Sequence, residues 1–197
     1  MVTIGYSMPY VARYNGTGGK DTYTDGMDLG EGVKYSDSIT SADDNNFYAN
    51  NKVSETDTGN FLSGEATITI DGLSPKAAEL VLGIKNKTSV GSTQWDNWDD
   101  DVAPPEIGYG HVKMTRENNV DQYWGVVLPR IKCALPGESL ETKGENINWQ
   151  TQDITATIMR SLNGKHTWRS ITSTPFASEA EAYEAVKAYL GQTGVGG

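Results

Sequence analysis

The chain has 197 residues, enough for one domain with a real core, and carries 16 basic against 26 acidic residues for a net charge of −10. That acidity disfavours a protein that grips phosphate backbones, which needs clustered Lys and Arg, but it leaves room for a role beside DNA, where like charge keeps a polyanion from sticking. The one cysteine, Cys133, excludes an internal disulfide and fits synthesis in a reduced compartment, and the longest apolar runs, such as YWGVVLP, fall far short of the roughly 18 residues of a membrane span.

The opening MVTIGYSMPYVARYNG has neither a basic leader nor a long apolar core nor a small-residue cleavage pattern, so no secretory signal is expected. NGTGGKD, residues 15–21, lacks the spacing and the following helix of a phosphate cradle and reads as a turn. Asp25-Gly26, after DTYT, reads as a hairpin turn. A strand-like GVKYSDSIT then leads into DDNNFYANNKVSETDTGNF, residues 43–61, which sets Phe47 and Tyr48 in an otherwise polar run. From Asp44 this run partly imitates a calcium loop, with Asn46 and Glu55 at ligand positions. Tyr48 occupies a position that needs an oxygen ligand, Ala49 one that needs Gly, and nothing helical flanks it. It is read instead as a long excursion between two sheet strands, able to reach roughly 30 Å if fully extended.

Period-2 alternation dominates the rest of the chain. GEATITID sets Ala66, Ile68 and Ile70 against Glu65, Thr67, Thr69 and Asp71, the pattern of a strand with one wet face. SPKAAELVLG is expected to be a short helix, capped by Ser74, opened by Pro75 and stopped by Gly83. The acidic WDNWDDD, Trp95 to Asp101, reads as a solvated loop, with a bound ion or a sugar stacked on a tryptophan as alternatives. GYGHVKMT and QYWGVVL form a hairpin through ENNVD. DQYWGVVLPRIKC is expected to begin buried and end exposed at Arg130 and Lys132, with Pro129 marking an edge or bulge.

NINWQTQDITATIM switches its apolar parity near Gln152 and Asp153, as a long strand does when it bends, and puts Asn148, Gln150 and Gln152 on a wet face. Asn163-Gly164 is expected to turn the chain into a hairpin with KHTWRSI. Ser178 and Glu181 form a capping box for a final helix with Tyr183, Val186 and Leu190 on one face, and QTGVGG, about 192–197, reads as a flexible tail on a single domain spanning 1–197. Catalytic patterns are absent: His111 and His166 stand alone in strand context, and there is no Walker loop, nucleophile elbow or helix-borne HExxH. No enzyme activity, cofactor or metal is expected.

In order and motif the chain resembles the major tail proteins, or tail tube proteins, of long non-contractile-tailed bacteriophages (siphophages). The likeness is carried by YTDGMDLG, by SITSADDNNFYANNKVSETDTGNFLSGEATITIDGLS, by DDVAPPEIGYGHVK, by YWGVVLPRIKCALPGESLETKGENINWQTQDITATIM and by EAEAYEAVKAYLG. GSTQWDNWDDD is more acidic and aromatic than the resemblance leads one to expect, and the immunoglobulin-like domain that some relatives carry after the core is not expected here.

The resemblance implies a mainly β tail-tube sandwich or barrel with a short helix after the central strands, a C-terminal helix and a long β-hairpin loop. Sheets of six copies would join into a closed inner barrel, and the rings would stack into a tube with an acidic lumen that conducts DNA without specific binding. It implies a virion protein of the tail, made in the host cytoplasm, whose partners are itself, a tape-measure protein, tail chaperones and a tail terminator, with no membrane. The loop would stack rings through Asp44, Phe47, Tyr48, Val53, Glu55, Asp57 and Phe61. Arg130 and Lys132 would meet its acids on a neighbour, and Glu65, Asp71, Asn148, Gln150 and Gln152 would face the lumen. The alternative is a carbohydrate-binding β-sandwich module using Trp95, Trp98 and the nearby acids.

Overall fold

A computed structural model describes residues 1–43, 45–49, 52–57, 60–138, 140–142, 150–191 and 193–195. The fold is mainly β, with strands β1 (Val2–Thr17), β2 (Lys20–Asp28), β3 (Gly32–Ser41), β4 (Asn45–Ala49), β5 (Lys52–Asp57) and β6 (Phe61–Ile70) ahead of helix α1 (Pro75–Leu82). Next come β7 (Asn86–Val90), β8 (Thr93–Asn97), β9 (Glu106–Glu117), β10 (Val120–Cys133), β11 (Gln152–Ile158), β12 (Ser170–Ile171), α2 (Glu179–Gly191) and β13 (Thr193–Val195). One antiparallel sheet runs β13-β2-β1-β9-β10-β11-β6-β3, with β12 added beside β10; β4-β5 and β7-β8 are separate two-stranded ribbons. The sheet is open and is not a closed barrel.

It folds over on itself instead. Inner-face side chains of one half, Val11, Ile107, Tyr109, Leu128 and Ile131, share a core with Ala66, Ile68, Ile154, Ala156 and Ile158 of the other. Tyr35 of β3 stacks at 5.9 Å on both Tyr6 of β1 and Tyr109 of β9, joining the halves where no strand pairing does. The α1 residues Ala77, Leu80, Val81 and Leu82 belong to this core beside the Ile70 end of β6, and Phe61 at the other end of β6 stacks on Trp168 at 4.8 Å.

Local chemistry accounts for most boundaries. Ser74 Oγ accepts from the Ala77 N–H, Pro75 opens α1 and Gly83 ends it at φ 75°, as the sequence pattern predicts. Gly18-Gly19 and Asn118-Asn119 turn the β1-β2 and β9-β10 hairpins with positive φ at both positions, which suits the strand twist. Asp25-Gly26 is no hairpin turn: both residues oppose Ala12 alone, so they form a bulge inside β2, with Asp25 at φ 56°. Pro129 and Arg130 likewise form a bulge opposite Gly108.

Other expectations are corrected as well. Asn163-Gly164 does turn the chain, with the His166 N–H donating to Asn163 O at 3.0 Å and the Ser161 N–H to Thr167 O at 2.9 Å, but no strand hairpin forms there, because β12 pairs with Val126–Val127 of β10, not with β11; Asn163 Nδ2 also donates to the buried Asp21 at 2.9 Å. β10 begins exposed to half-buried and becomes buried from Gly125, because its first residues lie in a ribbon beyond the core. The described part of NINWQTQDITATIM enters the sheet only at Gln152, so the bend expected there is the start of β11, and 143–149 lie outside the described residues. Thr193–Val195, expected as an unpaired tail, run as β13 along β2.

On the outer face α2 covers β2, β1, β9 and β10. Val186 and Leu190 pack on Ala12, Tyr14, Tyr23 and Val127. Gly108 and Gly110 permit the approach: a Cβ at Gly110 would lie 2.5 Å from Val186 Cγ1. No helix among the described residues is long and apolar enough to cross a membrane.

Candidate assembly surface

Beyond α2 the outer face over β3, β6, β11 and the end of β10 is bare of any helix among the described residues, although Thr69 is buried on it and Asp153 and Thr155 share a cleft with Ala134 and Pro136. The register sets Ser38, Glu65, Thr157 and Lys132 in one row, Ser36, Thr67 and Thr155 in the next, and Lys34, Thr69 and Asp153 in a third. Inward neighbours of the same strands are Ile68, Ala156 and Ile158, so this wet face follows directly from alternation in ATITI and ITATI. Its character is hydroxylic. Charge is confined to Lys34 and Lys132 against Glu65 and Asp153 in these rows, so over its described residues the face is balanced rather than acidic.

The face ends at an open edge, because β3 pairs on one side only, with β6. Alternate residues of this ten-residue strand turn their backbone N–H and C=O groups away from β6, without a strand partner among the described residues, which is the template for strand addition. A second open length is Val2–Ser7, which pairs with β9 while β2 begins pairing only at Tyr10. Met1, Val2 and Ile4 are exposed along it.

From the same β3-β6 pair rises the polar excursion. Ala42 N–H donates to Asn60 O at 2.9 Å, and beyond it β4 and β5 pair antiparallel, with Phe47 opposite Glu55, Tyr48 opposite Val53 and Asn45 opposite Asp57. Its described residues therefore pair as two strands, of which the five-residue β4 extends about 17 Å. Asp44 lies outside the described residues, as does Asn148.

Several expected surface residues are engaged within the chain. Phe61 stacks on Trp168, and Arg160 lies over its ring and donates to its carbonyl. Arg130 makes a bidentate pair with Glu106 at 2.8 and 2.5 Å, donates to Arg160 O and lies over the Tyr14 ring. The Glu106 hydrogen bonds raise its guanidinium pKa above the ordinary value. Asp71 Oδ1 accepts from the Glu31 N–H at 2.8 Å and Gln152 Oε1 from the Leu73 N–H at 3.1 Å, so both fasten the entrance to α1. Asp71, Gln150 and Gln152 line a cleft of about 550 Å³ beside the wet face. Glu65 and Lys132 are exposed on the face itself.

Sequence reasoning placed Thr67 and Thr69 on a wet face but passed over Ser36, Ser38, Thr155 and Thr157 in the same rows, and over Leu62, exposed at the foot of the hairpin. The expected acidic loop at Trp95–Asp101 is in part a strand: β8 pairs with β7, and Asn86 Nδ2 donates to Asp99 at 2.8 Å and Asp101 at 3.2 Å. Among the described residues no group of three or more His, Cys, Asp or Glu is placed to hold a metal ion. A mainly β, open antiparallel sheet with a bare polar face is as far as the geometry classifies the chain. Neither protein-family models nor curated proteins match it in sequence.

Proposed function

We propose that the chain is a structural subunit of a bacteriophage tail tube, in which six copies form a ring and stacked rings make a hollow tube that conducts DNA. The observation that carries this reading is the open β3 edge flanking the bare hydroxyl face. Joining each copy to the next along such an edge removes the hazard of an unpaired strand and places the polar face on a continuous wall. With its described charges balanced, that wall offers DNA few ionic anchors and weaker repulsion than the overall acidity suggests. The β4-β5 hairpin rises from the same strands and is the element that stacks one ring on the next. A tape-measure protein, tail chaperones and a tail terminator are the partners of such a subunit.

Electron microscopy and light scattering on the purified chain test the reading. Rings or tubes are the expected result; a protein that stays monomeric alone and with tail partners overturns it. Replacing Phe47 and Tyr48 together with Ser is expected to leave the fold intact by circular dichroism while abolishing tube growth. Unchanged tubes would remove the hairpin from the stacking role.

A further inference from the structure

The β7-β8 ribbon pairs with no other strand among the described residues, and its two faces differ. Register puts Lys87, Ser89, Gln94 and Asp96 on one face, where Lys87 bonds Glu79 of α1 and lies 3.7 Å from Asp96, so this side is turned toward the helix. The opposite face carries Asn86, Thr88, Val90, Thr93, Trp95 and Asn97. Trp95 is 59 % exposed and Val90 65 %. Around the indole stand hydrogen-bonding groups already held in place: Asn97 Nδ2 donates to Thr88 Oγ1 at 2.6 Å, and Asn86 Nδ2 donates to the carboxylates of Asp99 and Asp101.

We infer that this face binds a hexopyranose ring, with the apolar face of the sugar on the Trp95 indole and its hydroxyls on the amides and hydroxyls of Asn86, Thr88 and Asn97. The composition matches the ligand, since a pyranose pairs a C–H face with a hydroxyl edge as this surface pairs one indole with a rim of amides and hydroxyls backed by the Asp99 and Asp101 carboxylates. The area argues against a second protein. Five residues on two strands offer about 17 by 10 Å, under about 200 Å², against roughly 800 Å² for each partner of a stable pair. The site lies on neither the β3 edge nor the β4-β5 hairpin, the two elements assigned to assembly above.

The test is titration of the full chain with glucose, galactose and N-acetylglucosamine, followed by the tryptophan indole N–H signals in NMR spectra. A saturable shift of the Trp95 signal with at least one sugar is expected in the native chain, and the backbone amide shifts of β7 and β8, which every variant keeps, are expected to show binding weakened about tenfold or more in Trp95→Ala and largely kept in Trp95→Tyr, which retains a stacking ring. No shift with any of the three overturns the inference, as does binding that survives Trp95→Ala. Loss of self-association in Trp95→Ala without sugar binding in the native chain would make the face a contact between copies and overturn it too.

Discussion

His111 is enclosed by three tyrosines from three strands, with ring centroids 4.4 Å from Tyr35, 5.2 Å from Tyr6 and 5.5 Å from Tyr109, and its Nδ1 has no protein partner among the described residues. Burial, helped by the positive charges of Arg169 and Lys113, lowers its pKa from 6.5 to about 3. The tyrosines around it stay neutral across the acid range, since burial pushes their phenols upward. The unfolded chain therefore binds a proton that the folded chain refuses between pH 6.5 and 3. The stability due to a neutral His111 is complete above pH 6.5 and drains as pH falls through that window, by at most about 1.4 kcal/mol per unit. Urea unfolding at pH 7 and 5 is expected to show His111→Phe losing about 2 kcal/mol less than the native chain over that interval. Parallel losses in the two proteins would place the acid sensitivity elsewhere. The strand context and isolation of this histidine mark it as structural in the sequence, but the tyrosine cage is invisible there, because Tyr6, Tyr35 and Tyr109 meet only when the sheet folds over. Cys133 is legible in the same way: it is buried, and burial pushes its thiol up to about 12.

At the scale of elements, what can be read is whatever the chain decides within a few residues. The Ser74 cap, the Gly83 stop and the Asn118-Asn119 turn are set by neighbours in sequence and agree with expectation. Asp25-Gly26 and Asn163-Gly164 carry the same turn chemistry, yet one is absorbed as a bulge and the other is tied to Asp21 across 142 residues, because pairing partners far along the chain decide the outcome. Docking of α2 is likewise unreadable from its own periodicity. Its fit depends on Gly108 and Gly110, where the alternate residues of GYG lack side chains under Leu190 and Val186. Gly110→Ala is expected to push the helix outward and to cost about 1–3 kcal/mol by denaturant titration, whereas Gly137→Ala, with open space at its Cβ, costs little. Equal costs at both sites would mean that α2 shifts freely, and the close approach would then carry no stability.

Across the whole molecule, the net charge of −10 and the balanced polar face have to be reconciled. If excess acid is not on that face, it acts between copies at their other surfaces, and a ring of six would gather −60 formal charges. Those charges repel one another over about 30 Å at 0.01 M salt but only about 8 Å at 0.15 M, while strand pairing and apolar contact are not weakened by screening. Assembly followed by light scattering is therefore expected to quicken as salt rises from 0.01 to about 0.15 M. The opposite slope would mean that copies are held by ion pairs, and it would count against union along the β3 edge, where the outward side chains Ser36, Ser38 and Thr40 accompany one cation, Lys34. Arg130 sharpens the comparison: it is already paired with Glu106 inside its own chain, so a salt-weakened assembly would have to draw on Lys132 or on the other exposed lysines.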